Sequence, residues 1–445
     1  MISINTRMTN EIVRMSVPVM IGMVSQTVLN IVDTAMVGRL GVVHLASVGL
    51  ASFLTLVMVL IFGSLNIGTQ AITARRLGEG RSEEFPKIAY NSTLLALAAG
   101  VAISIAGYYL SGSIFSLISK DSEVISIGTQ YFSIRSAGLF AMIMIFTLKG
   151  FVIGLGRVRI DMIVSVIINL LNVFLNYCFI FGHFSIPRLE VRGAAIASVI
   201  STVVGLFIYL LFVHFRILKN MPRIRILKTL SADLMAQIVK ISVPRALQSF
   251  SVFGFIVFLS FIGHIGINEL AISNIIFKAF NLSFMIGMAV GTVSATLVGR
   301  SLGGGKEKEA VLYGWYSAAT GAVMMGTIGT LFMFFPREIM GFFSNSPQTI
   351  EKGVLPFQIL GALQFIDGIG IVLSRTLQGA GCTTFVMISE TICIWLIMIP
   401  GVWIAVELLH GGLLTAWISL FMYILFFASF MAWKFWQGGW KKVRI

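Results

Sequence analysis

Apolar residues run through this chain in long unbroken blocks, separated by short polar stretches that often carry glycine. The blocks do not alternate with polar positions, so they predict helices rather than the strands of a membrane barrel. Helices are expected near 13–36, 50–72, 90–110, 130–152, 161–182 and 193–214. A second set is expected near 236–262, 272–298, 312–335, 354–375, 384–405 and 412–433. A helical span needs roughly 20 apolar residues, and each block supplies about that. Of 445 residues 57% are hydrophobic and 11% charged, against about 25% charged in soluble domains. The chain reads as an all-α integral membrane protein with twelve transmembrane helices.

Charge adds orientation. The net charge is +14, yet most of the 32 Lys and Arg fall at the N-terminus, in the even-numbered loops and at the C-terminus. That asymmetry puts both termini in the cytoplasm. Topology and anionic lipid account for the basic excess, so no nucleic-acid partner is implied. Met1 to Arg14 is polar and no small-residue cleavage site follows, so no removable signal peptide is expected. Cys178, Cys382 and Cys393 have no metal or redox spacing and read as packing residues.

The blocks also repeat. IVRMSVP (Ile12–Pro18) returns as IVKISVP (Ile238–Pro244), and VGRLG (Val37–Gly41) as IGHIG (Ile262–Gly266). LGEGRSEE (Leu77–Glu84) returns as LGGGKEKE (Leu302–Glu309), in the same order. The chain therefore divides into a six-helix lobe over 1–213, a basic cytoplasmic linker over 214–233 and a second six-helix lobe over 234–445. Six is even, so both lobes enter from one side and a pseudo-two-fold axis along the membrane normal should relate them. Alternating access by rocking of lobes follows from that symmetry.

The ionisable groups do not repeat. The first helix holds Pro18 and Asp33, where the second lobe has only Phe258 to Phe261 at the position of the carboxylate. The second lobe carries Asp367 and Glu390 where the first has about Met142 and Ser165. A carboxylate at membrane depth is costly and marks an ion site, a proton relay or a counter-charge. A proline inside a span frees a carbonyl and lets the helix bend, so Pro18 is the candidate hinge. In the fifth helix Ser165, Asn169, Asn172 and Asn176 recur at helical spacing and make one polar stripe. Asp33 and Asn176 both lie about 22 Å from the cytoplasmic end at 1.5 Å per residue. Ser198 and Thr202 of the sixth helix are candidate neighbours. A carboxylate among amides and hydroxyls can take up a proton, since leaving water penalises charge. Ionised, Asp33 with the oxygens of Asn172 and Asn176 would instead make a cation site.

Asp367, Lys278 and Gln248 form a possible second site, with an Asp367–Lys278 ion pair as the structural alternative. Glu390 reads as structural. Lys149 and Arg375 lie near cytoplasmic helix ends and can snorkel. Enzyme signals are absent: there is no HExxH, Walker A or GxSxG, and LGEGR and LGGGK read as tight turns.

Across its whole length the chain resembles the multidrug and toxic compound extrusion (MATE) transporters. The resemblance lies in proline and aspartate of the first helix with QT…IVDTAMVGRLG, and in LGEGRSEE, GLGRVRIDM, FIFGHFSIPRLEVRGAAIASVIS, VGRSLGGGKEKE and LSRTLQGAGCTT. It implies a two-lobed antiporter that exports cationic, lipophilic compounds in exchange for protons or sodium, with no cofactor. By resemblance to the DinF-like branch, Asp33 is the coupling carboxylate, Asn172 and Asn176 belong to its network, and Pro18 is the bend. The NorM-like branch has an acidic residue where this chain has Val252, near Gln248, Ser249 and Ser251. Some relatives carry a second carboxylate in place of Asn176. The loss of an anionic oxygen favours protons over sodium, while Asp367 coincides with a NorM-like carboxylate. The expected partners are small cationic lipophilic substrates and membrane lipids, and the expected form is a monomer in the cell (inner) membrane.

The rival reading is a flippase for a lipid-linked oligosaccharide. Its diphosphate cargo calls for a basic cavity, whereas the central charges here are mainly acidic. Nothing resembles a channel filter, and the acidic-basic motif of major-facilitator transporters is missing.

Overall fold

The computed structural model describes residues 6–219, 230–443 and 445. The first half forms α1 (Thr6–Gly38), α2 (Val42–Phe62), α3 (Leu65–Gly78), α4 (Phe85–Ile118), α5 (Ser122–Ala137), α6 (Leu139–Gly154), α7 (Val158–Phe181) and α8 (Glu190–Phe212). The second forms α9 (Ala232–Gln248), α10 (Ser251–Ile265), α11 (Ile267–Gly303), α12 (Glu307–Phe334), α13 (Pro336–Phe343) and α14 (Pro347–Gly379). It closes with α15 (Thr383–Leu408) and α16 (Leu413–Gln437). Among the described residues 11 stretches are long and apolar enough to cross a membrane, and the α5–α6 pair, bent by 48°, brings the number to 12.

Every expected stretch is helical, and most run longer than expected. Three are interrupted: 50–72 between α2 and α3, 130–152 between α5 and α6, and 236–262 between α9 and α10. Hydropathy marks only the stretch in hydrocarbon, whereas backbone hydrogen bonds continue the helix through its polar ends. Thus α11, expected over 272–298, extends to both flanking turns. The short α13 was hidden between spans; it starts on Pro336, whose fixed φ suits the first helical position. Pro18, Pro244 and Pro356 are absorbed inside α1, α9 and α14 without ending them. Around Pro400, α15 widens into π turns over Cys393–Met398 and Ile404–Leu408. Of the linker expected over 214–233, residues 220–229 lie outside the described residues; Val213–Leu218 continue α8 as a π turn.

Packing groups the chain into two compact units, Met1–Met20 with Leu247–Ile445, and Ile21–Ala246. The chain passes from one unit to the other just after Pro18 and again just after Pro244. Within the first unit, Gly329 of α12 and Gly361 of α14 lie so close that a Cβ on either would strike the other's carbonyl. Small residues permit such approach where lipid removes any hydrophobic drive between helices. Phe258, Ile272, Phe357 and Trp417 pack in its core. The buried Trp417 Nε1 donates to Ser273 Oγ at 3.0 Å, so its polar edge is satisfied. Glu11 is held there too, accepting from Arg300 Nη2 at 2.9 Å and from the Tyr313 hydroxyl at 2.6 Å.

In the unit Ile21–Ala246, α3 and α6 meet where Gly150 lies on the backbone of Asn66. The LGEGRSEE stretch is a tight turn, with Gly80 at φ +75°. Arg76 pairs with Glu79 at 2.7 Å and with Glu84 at 3.0 Å, while Arg81 pairs with both carboxylates.

Candidate functional site

The site in the unit Ile21–Ala246 is built from α1, α7 and α8. On α7, Asn169, Asn172 and Asn176 are buried on one face, as their spacing requires. Each reaches a different partner. Asn169 Nδ2 donates to Ser25 Oγ of α1 at 2.8 Å. Asn176 Nδ2 donates to Asp33 Oδ1 of α1 at 2.6 Å. Asn172 contacts Ser198 Oγ at 3.2 Å and Ser201 Oγ at 3.1 Å on α8. Thr202 instead donates to the Ser198 carbonyl at 2.7 Å. Ser165 lies beside Gly22, one turn before Asn169. Asp33, Asn172, Asn176 and Ser198 thus form one continuous network, and Asn169 ties the same two helices further along.

The Asn172 amide fits this network in two ways. With its nitrogen towards Asp33 it donates to Oδ1 at 3.2 Å, and its oxygen accepts from the Ser198 amide and the two serine hydroxyls. Turned over, its oxygen accepts from Asn176 Nδ2 at 3.0 Å and its nitrogen donates to the serines. The second orientation brings two oxygens together unless Asp33 carries a proton. Serine hydroxyls rotate to serve either arrangement.

Asp33 is half-buried. The guanidinium of Arg135 on α5 acts on it through space. Arg135 Nε, Asn169 Oδ1 and Asn176 Oδ1 are buried and have no hydrogen-bond partner among the described residues. The sequence reading did not include Arg135, Ser25 or Ser201. Ser201 was findable, since it lies three positions after Ser198 on the same helical face.

In the possible second site, no hydrogen bond or ion pair joins Asp367, Lys278 and Gln248 to one another among the described residues. Asp367 is buried on α14, and its Oδ2 has no partner among the described residues. Lys278 is uncovered on α11. No ion pair or hydrogen bond joins the two among the described residues, so the structural alternative, an Asp367–Lys278 ion pair, does not form. The reason is facial: Ile272, Ile276, Ala279 and Ser283 form the packed side of α11, and Lys278 lies on the other. Gln248 makes no hydrogen bond to Asp367 among the described residues. It donates to Glu390 and accepts from Gln378 Nε2 at 2.8 Å.

Lys149 also needs correction. Rather than snorkelling to water, its Nζ pairs at 3.0 Å with Asp161, which is fully buried. The Tyr209 hydroxyl donates to the same carboxylate at 2.5 Å. Arg375 is half-buried, with Nη1 3.3 Å from Gln378 Oε1. The cysteines are free, and Cys178 and Cys393 are buried.

A family model described as MatE matches residues 18–178 and again 244–404, each match opening on a repeated proline. A probable multidrug resistance protein NorM of Thermotoga maritima is 29% identical, over 97% of this chain and 93% of that protein. One from Bacillus cereus is 24% identical, over 94% of this chain and 93% of that protein. Among solved structures, the outward-facing conformation of a multidrug resistance MATE family transporter of the MOP superfamily superposes with a TM-score of 0.88. It is 21% identical and is covered to 97%, with 98% of this chain aligned, which shows a shared fold.

Proposed function

Because the chain belongs to the MatE family, it is a multi-pass membrane transporter and not an enzyme, and we propose that it is a multidrug efflux antiporter. Its cargo is cationic and lipophilic, its coupling ion is the proton, and its two lobes work by alternating access. The names of the curated relatives support the cargo class. The observation that carries the coupling is Asp33, held by Asn176 at 2.6 Å in a network that spans α1, α7 and α8.

Protonation of Asp33 from outside neutralises the acceptor on which Asn176 and Asn172 converge. Asn172 then turns its oxygen to the carboxyl proton, and the contacts joining α1 to α7 are redrawn. Pro18 gives α1 a place to bend in response, because its ring leaves one carbonyl without an intrahelical donor. Cargo leaves, and return of the site to the inside releases the proton. Both termini are cytoplasmic on this reading, supported by the basic loops, and the protein lies in the cell (inner) membrane as a monomer.

A second reading has specific support. Asn176 Oδ1 and Asn169 Oδ1 are buried acceptors without partners among the described residues. With ionised Asp33 they offer oxygens suited to sodium as the exchanged ion. Dye efflux from proteoliposomes under imposed proton and sodium gradients, applied separately, tests both. Efflux driven by the proton gradient alone is expected. Efflux driven only by sodium replaces the proton reading, and efflux under neither removes the antiporter.

A further inference from the structure

Lys278 is the only charged residue of α11 between Glu269 and Arg300. Both of those neighbours are paired, Glu269 with Lys352 at 2.8 Å and Arg300 with Glu11 at 2.9 Å. Lys278 has no ion pair among the described residues. It lies about 13 Å beyond Glu269 at 1.5 Å per residue, well inside the apolar stretch. Protein does not cover it, nor does it cover Ala271, Asn274 and Asn281, which share its face. Among the described residues Asn274 bonds only back to its own helix, donating to the Leu270 carbonyl at 3.0 Å.

An uncovered ammonium between two amides at membrane depth is not compatible with hydrocarbon. Such groups face water or a polar cavity, where they serve transported molecules. The ammonium supplies three donors and repels a cation, and the Asn281 amide can add donors beside it, an arrangement that suits a carboxylate. We propose that Lys278, flanked by Asn274 and Asn281, is a recognition site for a carboxylate on the transported molecule. The inference rests on the efflux reading and sharpens its substrate class. The preferred cargo is a zwitterion, with a cationic lipophilic body and one anionic group.

A matched pair of probes tests this: a rhodamine with a free carboxylate, and its methyl ester, which lacks the anion. Both are followed in proteoliposomes of the full chain under the same imposed gradient. Wild type should move both. Lys278→Gln should lower transport of the free acid about tenfold relative to the ester, the worth of one charge-assisted contact. Lys278→Arg should keep most of the free-acid transport. Ester transport reports that the variants are folded and active. A Lys278→Gln protein with an unchanged ratio overturns the inference and leaves the lysine snorkelling to the outer surface. So does a wild type that moves the ester but not the acid. A wild type that moves neither dye removes the efflux reading itself, and this inference with it.

Discussion

Asn176 donates its Nδ2 to Oδ1 of Asp33 across 2.6 Å, joining α7 to α1 over a sequence separation of 143. The acceptor is the one ionisable group of its helix's apolar stretch, and the donor is the last member of a buried amide stripe. Removing the charge removes the reason for that contact. Asp33→Asn should reach the membrane in normal amount and lose efflux to the level of empty vesicles. Dye efflux and membrane immunoblotting together check this, and full efflux in the variant would falsify the coupling role.

Asn176→Asp tests the ion. A second carboxylate beside Asp33 adds an anionic oxygen that a hard cation prefers. The variant should acquire sodium stimulation of efflux that the wild type lacks. A sodium titration of initial efflux rate decides it, and an unchanged, sodium-independent rate would show that the added oxygen does not reach the ion.

Asn172→Ala removes the amide that can turn between the carboxylate and the α8 serines. Efflux should fall about tenfold, the worth of a hydrogen bond to a charged group. The dependence of rate on external pH should also move, since the amide reaches the coupling carboxylate at 3.2 Å. A merely structural Asn172 would lower the amount of folded protein and leave the pH profile of the remainder in place.

Lys149 and Asp161 make a purely structural prediction. Asp161 is fully buried, and among the described residues the side chains of Lys149 and Tyr209 pair with its carboxylate. Lys149→Met strands that carboxylate and should destabilise the protein by about 3 kcal/mol, the usual cost of breaking a buried pair. Adding Asp161→Asn should restore part of the loss. Thermal unfolding in detergent reads both, and a single variant as stable as wild type would contradict the pairing.

Much of this site was legible because helical periodicity and membrane cost act on few residues. Asp33 stands out as a carboxylate in an apolar span, and three asparagines at spacings of three and four can share only one face. Which face meets a neighbour is harder to read. On α11 both sides are apolar enough for a membrane, so hydropathy could not tell the packed Ile276 and Ala279 from the uncovered Lys278. A pairing of Lys278 with Asp367 is therefore open in the sequence, although nothing joins them among the described residues. Lys149 and Asp161 were hidden differently, each close enough to a helix end to pass for a solvated charge. Arg135 approaches Asp33 from α5 through tertiary packing that no local pattern encodes.

Pro18 carries the last prediction. Helix α1 runs unbroken from Thr6 to Gly38 with the proline inside it. Two residues later the chain leaves one compact unit for the other, and Pro244 stands at the matching point of the repeat. Alanine at 18 restores an amide donor and removes the ring that crowds the preceding turn. The Pro18→Ala helix should be stiffer, so its thermal stability should equal or exceed that of the wild type. If bending of α1 is needed in each cycle, turnover should nevertheless fall several-fold. Measuring both on one preparation separates the cases: lower stability would make the proline a packing residue, and undiminished turnover would remove the hinge. Pro244→Ala then asks whether the second lobe bends too. Its helix lacks a carboxylate equivalent to Asp33, so no proton drives a bend there, and its turnover should fall less than that of Pro18→Ala.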